Sequence, residues 1–149
     1  MITVHDCQIL DLPESCGADN SPTAARSDEN LPFEIARVYY LYDVADGQKR
    51  GGHAHKKLQQ LIIPVVGSFD LLIDDGRKKR ALVMDRPDRG LHIPGHIWTE
   101  VVNFSPGAVC MVLASLAYDE EEYIRDYDQF LQFKNVAEQP NDGHLERVW

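Results

Sequence analysis

Leu61-Ile62-Ile63-Pro64-Val65-Val66-Gly67-Ser68-Phe69-Asp70-Leu71-Leu72-Ile73-Asp74-Asp75-Gly76 is the stretch that decides the fold. Its first six residues form an almost unbroken apolar run. That suits a strand buried on both faces, with Pro64 marking an edge or a bulge. Gly67 punctuates it. Phe69, Leu71 and Ile73 then alternate with Asp70 and Asp74, the period of a half-buried strand, with Leu72 as the exception. Asp75-Gly76 is a hairpin signal leading into a strand around Ala81 to Met84.

The same grammar extends in both directions. Ile2 to Leu12 reads as a first strand stopped at Pro13, and the polar stretch Ala18 to Asn30 reads as a loop. Phe33 to Asp43 is rich in β-formers and aromatics and reads as a strand, with the turn Asp46-Gly47 behind it. Downstream, Pro87 to Gly90 is a turn. Leu91 to Pro94, Trp98 to Phe104 and Val109 to Ser115 are three short strands, the last two separated by Ser105-Pro106-Gly107. Only the end is helical in pattern: Tyr123, Tyr127, Phe130 and Leu131 recur at helical spacing. Asp119 with Glu122 resembles a capping box, and Glu120 to Glu122 would fill the first turn. The residues after Phe133 are polar, and 134–149 reads as a loose tail. Many short strands with Gly and Pro turns predict an all-β protein, a jelly-roll barrel of two antiparallel sheets with a short C-terminal helix. We expect one domain over residues 1–149, with a pocket between the sheets.

Composition narrows the function classes. The 149 residues are 44% hydrophobic and 26% charged, with a formal net charge of -9. A duplex-binding surface needs clustered Lys and Arg, so nucleic-acid binding is disfavoured. A phosphorylated ligand needs only a few local cations. Three cysteines, Cys7, Cys16 and Cys110, lack the paired spacing of a disulfide framework or zinc knuckle and read as reduced thiols of a cytoplasmic protein. The start has no signal-peptide pattern, and no apolar run is long enough to span a bilayer, so no membrane role is expected.

The chemistry is concentrated in Arg50-Gly51-Gly52-His53-Ala54-His55-Lys56-Lys57. Histidines two residues apart leave a strand on the same face. Two convergent imidazoles can take a proton from one atom and return it to another, or hold a metal. Metal-binding cupin barrels carry His-x-His followed by Glu, then a second motif with another His. Here Gln59 stands at the carboxylate position and Thr99 at the second-motif position. Both are poor ligands, so a tight divalent site is not expected, although His92 or His96 could supply a third nitrogen.

Longer strings carry a more specific signal. Arg37-Val38-Tyr39-Tyr40, the Arg50 to Leu58 string, Gly67-Ser68, Asp74-Asp75-Gly76, Gly90-Leu91, Ala114-Ser115 and Tyr118-Asp119-Glu120-Glu121-Glu122-Tyr123-Ile124-Arg125-Asp126-Tyr127 occur in one order. Together they resemble the dTDP-4-keto-6-deoxyglucose 3,4-ketoisomerases, small cupins of deoxysugar biosynthesis, most clearly from Phe33 to Phe130. The resemblance implies a metal-free isomerase without a cofactor. Its substrate would be a dTDP-linked 4-keto-6-deoxyhexose whose carbonyl moves from C4 to C3 through an enediol. The products feed aminotransferases that make 3-amino-3,6-dideoxy sugars for surface glycans such as lipopolysaccharide. It also implies a homodimer with an exchanged N-terminal strand, here within residues 1–32.

On that reading His53 is the base at C3 and His55 its partner or shuttle. Tyr39 hydrogen-bonds the sugar oxygens. Arg37, on the same strand face as Tyr39, and Arg50 at a strand start are the diphosphate-binding arginines. Trp98 is either a platform for thymine or barrel packing. Family members commonly carry Glu where Gln59 stands and His where Thr99 stands, so these two positions are expected to affect rate or substrate choice. His5, His92, His96 and His144 read as surface or turn residues, and Tyr40 and Tyr42 as core or interface aromatics. The alternatives are an epimerase of a related nucleotide sugar, a metal-dependent cupin, and a non-catalytic nucleotide-sugar-binding protein. The configuration of the new C4 hydroxyl is left open.

Overall fold

A computed structural model describes residues 1–12, 25–26, 30–135 and 145–148. Most of the Ala18–Asn30 loop, Cys16 and His144 lie outside the described residues. The strands are β1 (Gln8–Asp11), β2 (Arg37–Leu41), β3 (Arg50–His55), β4 (Gln60–Val66), β5 (Phe69–Asp74), β6 (Lys79–Met84), β7 (Arg89–Ile93), β8 (Trp98–Val102), β9 (Val109–Ala114), β10 (Tyr123–Ile124) and β11 (Leu145–Val148), with one α-helix, α1 (Tyr127–Phe133). They form a five-stranded sheet, β1-β7-β4-β9-β2, and a six-stranded sheet, β10-β3-β8-β5-β6-β11. Every pairing is antiparallel except β11 with β6.

The decisive stretch folds as its pattern requires. Ile62 on β4 faces inward and meets Phe69, Leu71 and Ile73 of β5 in the core between the sheets, with Leu91, Ile93 and Val112. Leu61 and Ile63 point the other way and are covered by Leu12, Leu31 and Phe33. That second cover is why β4 is apolar on both faces. The register shifts between Pro64 and Val66, the bulge that proline signals.

Three expectations about the ends need correction. Ile2 to Leu12 is not one strand. Thr3 and Asp6 cap one another across a 3-10 turn, Val4–Asp6, before β1 begins. Val4 is then pinned from both sides: Asp75 accepts its N–H at 2.9 Å, and Arg80 donates to its carbonyl at 3.2 Å. The acidic C-terminal string is not the start of one helix. Asp119 caps a 3-10 turn over Glu120–Glu122, Tyr123–Ile124 pairs with β3, and Asp126 caps α1 separately. Two Asp caps seven residues apart break what looked like one helical period into turn, strand and helix. Finally, of the expected tail 134–149, residues 136–144 and 149 lie outside the described residues, and Leu145–Val148 forms a strand along β6. No helix among the described residues is long and apolar enough to cross a membrane.

Candidate active site

Glycines aim the histidines. Gly51 and Gly52 have φ of +84° and +75°, and the β3–β8 register shifts between Gly51 and His53. A Cβ on Gly51 would lie 2.7 Å from the Thr99 carbonyl oxygen, so only glycine lets β3 approach β8 so closely. Beyond this bulge His53 stands opposite Thr99, and His55 opposite Tyr123. The imidazole centroids are 5.0 Å apart with planes at 79°.

A cavity of about 110 Å³ opens between the sheets, lined among others by Tyr39, Arg50, His53, Gln60 and Thr99. His55 lies behind, 3% exposed, with neither ring nitrogen hydrogen-bonded. Burial, helped by the Arg125 charge, pushes His53 down to about 4. Burial again, with His53 and Arg37 adding to it, pushes His55 down to about 3. Both rings are therefore neutral near pH 7, the state a proton acceptor needs.

Arg37 is enclosed by phenols. Its guanidinium lies 4.4 Å from the Tyr39 ring centroid and 5.3 Å from that of Tyr118, and Nη2 donates to the Tyr123 hydroxyl at 3.3 Å. Its Nη1 is buried without a hydrogen-bond partner. A fixed cation with a spare donor, on the same strand face as the cavity-lining Tyr39, is suited to an anionic oxygen. Burial, with Tyr123 next, pushes the Tyr39 phenol up to about 12, so it remains a donor. At the rim Arg125 makes a two-point ion pair with Glu120 at 2.6 and 3.0 Å, and Tyr118 donates to the same carboxylate.

The structure gathers His53, His55, Tyr39, Arg37 and Thr99, the last with its hydroxyl buried and unpartnered. Arg50 borders the cavity, although its guanidinium is turned toward the Lys49 carbonyl and Gln48. Two expected residues face elsewhere. The Gln59 amide oxygen meets His92 Nε2 at 2.9 Å, and His92 stacks on Phe33 beneath the outer cover of the five-stranded sheet. Gln60, one residue on, is the glutamine inside the barrel. Trp98 leaves β8 opposite to Thr99 and packs against Tyr127 and Phe130 at 5.3 and 5.7 Å. It borders a separate outer cavity of about 430 Å³ with Asp74, Lys79 and Glu100. His96 sits at a turn against Phe133. Among the described residues no three His, Cys, Asp or Glu side chains are grouped to hold a metal.

Sequence reading missed Gln60, Tyr118, Tyr123 and Arg125. Gln60 was hidden because β4 is apolar on both faces, Ile62 on its side and Leu61 and Ile63 on the other, so the pattern does not say which glutamine points inward. The other three lie in the acidic string whose helical reading hid them.

Two facing sheets with a neutral histidine pair, phenols and an arginine between them define a jelly-roll barrel of the cupin type, equipped for proton transfer beside an anionic oxygen. The family model described as WxcM-like, C-terminal (FdtA) matches residues 5–135, and the chain belongs to that family. It is 38% identical over 126 residues to a TDP-4-oxo-6-deoxy-alpha-D-glucose-3,4-oxoisomerase of Aneurinibacillus thermoaerophilus, covering 85% of this chain and 91% of that protein. A 3,4-ketoisomerase from Helicobacter canadensis superimposes with a TM-score of 0.83 at 43% identity, over 87% of this chain and 98% of the other. The sugar 3,4-ketoisomerase QdtA of Thermoanaerobacterium thermosaccharolyticum, solved in complex with TDP, gives 0.84 at 31% identity, over 89% and 96%.

Proposed function

We propose that this protein is a TDP-sugar 3,4-ketoisomerase that moves the carbonyl of a dTDP-linked 4-keto-6-deoxyhexose from C4 to C3 through an enediol. The observation that carries the reading is the neutral His53–His55 pair beside Arg37 and Tyr39, in a chain whose relatives are named for this activity. The C3 hydrogen is acidified by the neighbouring carbonyl. His53, the more open of the two rings, takes it as a proton, and the C–H electrons become the C3=C4 double bond of the enediolate. The Tyr39 phenol donates to the oxygen that gains charge. Transfer of the O3 proton to O4 and delivery of the imidazolium proton to C4 complete an isomerisation that needs no net redox partner.

His53 is a weak base in the free protein. A bound diphosphate and the developing enediolate are both negative, and each favours the imidazolium. His55 is the partner ring through which the proton is passed. Arg37 and Arg50 are the cations that hold the diphosphate. Thr99 faces His53, where it tunes which sugar face the proton donor meets, and Gln60 takes the role expected of Gln59.

The reading includes a cytoplasmic homodimer that supplies a 3-keto sugar nucleotide to an aminotransferase, for the dideoxy-aminosugars of surface glycans. Here β1 pairs with β7 of its own chain. Exchange of β1 between two copies would keep the same register. Val38, Tyr40 and Tyr42, 53%, 59% and 60% exposed on the edge strand β2 and just beyond it, offer apolar surface for a second copy. His53→Asn tests the assignment: binding of the dTDP-sugar is expected to persist within a few-fold while turnover drops by about 10³. Turnover within tenfold of wild type would remove His53 from the chemistry.

A further inference from the structure

Among the described residues, Tyr123 is the aromatic side chain that touches both members of the histidine pair. Its ring centroid lies 4.9 Å from His53 and 4.5 Å from His55, with planes at 59° and 65°. The backbone explains the contact: on β10 Tyr123 stands directly opposite His55 on β3, and cross-strand neighbours on one face meet side by side. Two arginines hold the phenol in turn. Arg125 lies 4.3 Å from the ring centroid, itself fixed by the two-point pair to Glu120, and Arg37 donates to the hydroxyl.

We propose that Tyr123 is a positioning residue for the isomerisation: its ring fixes the two imidazoles and shields them from water, while its hydroxyl holds Arg37 toward the substrate. This inference rests on the ketoisomerase reading for its consequence, but its physical content belongs to the free protein. His55 has no hydrogen bond to fix either ring nitrogen, so edge-to-face contact with Tyr123 and His53 defines its orientation. A proton-shuttling ring held only by packing is sensitive to loss of one neighbour, and small misplacement of a reacting group costs large factors in rate. The ring and the hydroxyl therefore have separable effects. Losing the ring lowers kcat, whereas losing the hydroxyl loosens Arg37 and raises KM.

The charged and titratable groups facing the pair are Arg37 and Tyr39 on β2, Arg125 and Glu120 around β10, and Tyr123 itself. Replacing the ring by a flexible side chain admits water without altering the net charge of this set. Water relieves the burial that keeps both imidazoles neutral.

The test uses the full-length protein with imidazole nitrogens labelled for NMR, and the variants Tyr123→Phe, Tyr123→Leu and Tyr123→Met. In substrate-free Tyr123→Leu, the midpoints of His53 and His55 should move up toward the ordinary 6.5, with kcat reduced at least 30-fold. Tyr123→Phe should keep the wild-type midpoints and kcat within about threefold while raising KM several-fold. Tyr123→Met carries the same prediction as Tyr123→Leu and decides the matter if the leucine variant does not fold. Unchanged midpoints in the folded leucine or methionine variant overturn the proposal, as does a phenylalanine variant that loses kcat as deeply as leucine. Because the titrations need no substrate, shifted midpoints in a protein that turns over no dTDP-sugar would leave Tyr123's hold on the two imidazoles standing and sink the ketoisomerase reading instead.

Discussion

At the scale of single residues, the account turns on two neutral imidazoles. The unfolded chain binds protons at these histidines near pH 6.5, whereas in the folded protein they bind only near 4 and 3. Between those values the unfolded state carries more protons. Stability therefore rises with pH across the window and is lost as pH falls through it, by at most about 1.4 kcal/mol per pH unit for each histidine. Denaturant melts from pH 4 to 7 should show this slope, and a His53→Asn/His55→Asn double variant should flatten it. The same depression places the acid limb of kcat/KM for the free enzyme below pH 5; a limb centred on 6.5 would mean that the base is solvated. The histidine pair was legible in the sequence because period-two spacing survives any detail of packing. The glutamine was not: strand parity decides which of Gln59 and Gln60 enters the barrel, and motif spacing alone is one residue too coarse.

At the scale of elements, the site depends on how β3 meets β8 and β10. Gly51 carries both a left-handed φ and a close approach to the Thr99 carbonyl oxygen. Gly51→Ala should therefore cost about 3 kcal/mol and depress activity with it, measured as a lowered midpoint in urea. Gly52 shares the positive φ, but its position is open, with nothing within 4 Å of an added Cβ. Gly52→Ala should cost less, about 1 kcal/mol. Similar losses in the two variants would contradict the role given to the β3–β8 contact. The alternation in β5 and the two-sided apolarity of β4 were read correctly, since each reports one strand's own surroundings. The turn, strand and helix from Glu120 to Phe133 were not. Tyr123–Ile124 becomes a strand only because β3 lies beside it, a partner nearly seventy residues away that local spacing does not encode. Trp98 was ambiguous for a related reason: a tryptophan satisfies either face of β8, and the helix that covers the outer face comes later in the chain.

At the scale of the whole molecule, two sheets enclose one core, and the N-terminal segment is tied to the far sheet by polar groups. Asp75, 4% exposed, accepts from the N–H groups of Val4, Arg77 and Lys78. Lys134, 5% exposed, donates to the carbonyls of Ile2 and His96 at 2.6 and 3.0 Å. Asp75→Ala strands three N–H groups and is expected to destabilise the fold by about 2–4 kcal/mol, read from chemical denaturation, without changing the imidazole titrations. The most direct test of the central claim is proton NMR of the purified protein with dTDP-4-keto-6-deoxyglucose in deuterated buffer. The account predicts a new 3-keto species carrying deuterium at C4, whose coupling constants give the configuration there. An unchanged spectrum, or exchange at C3 without any 3-keto product, would contradict it.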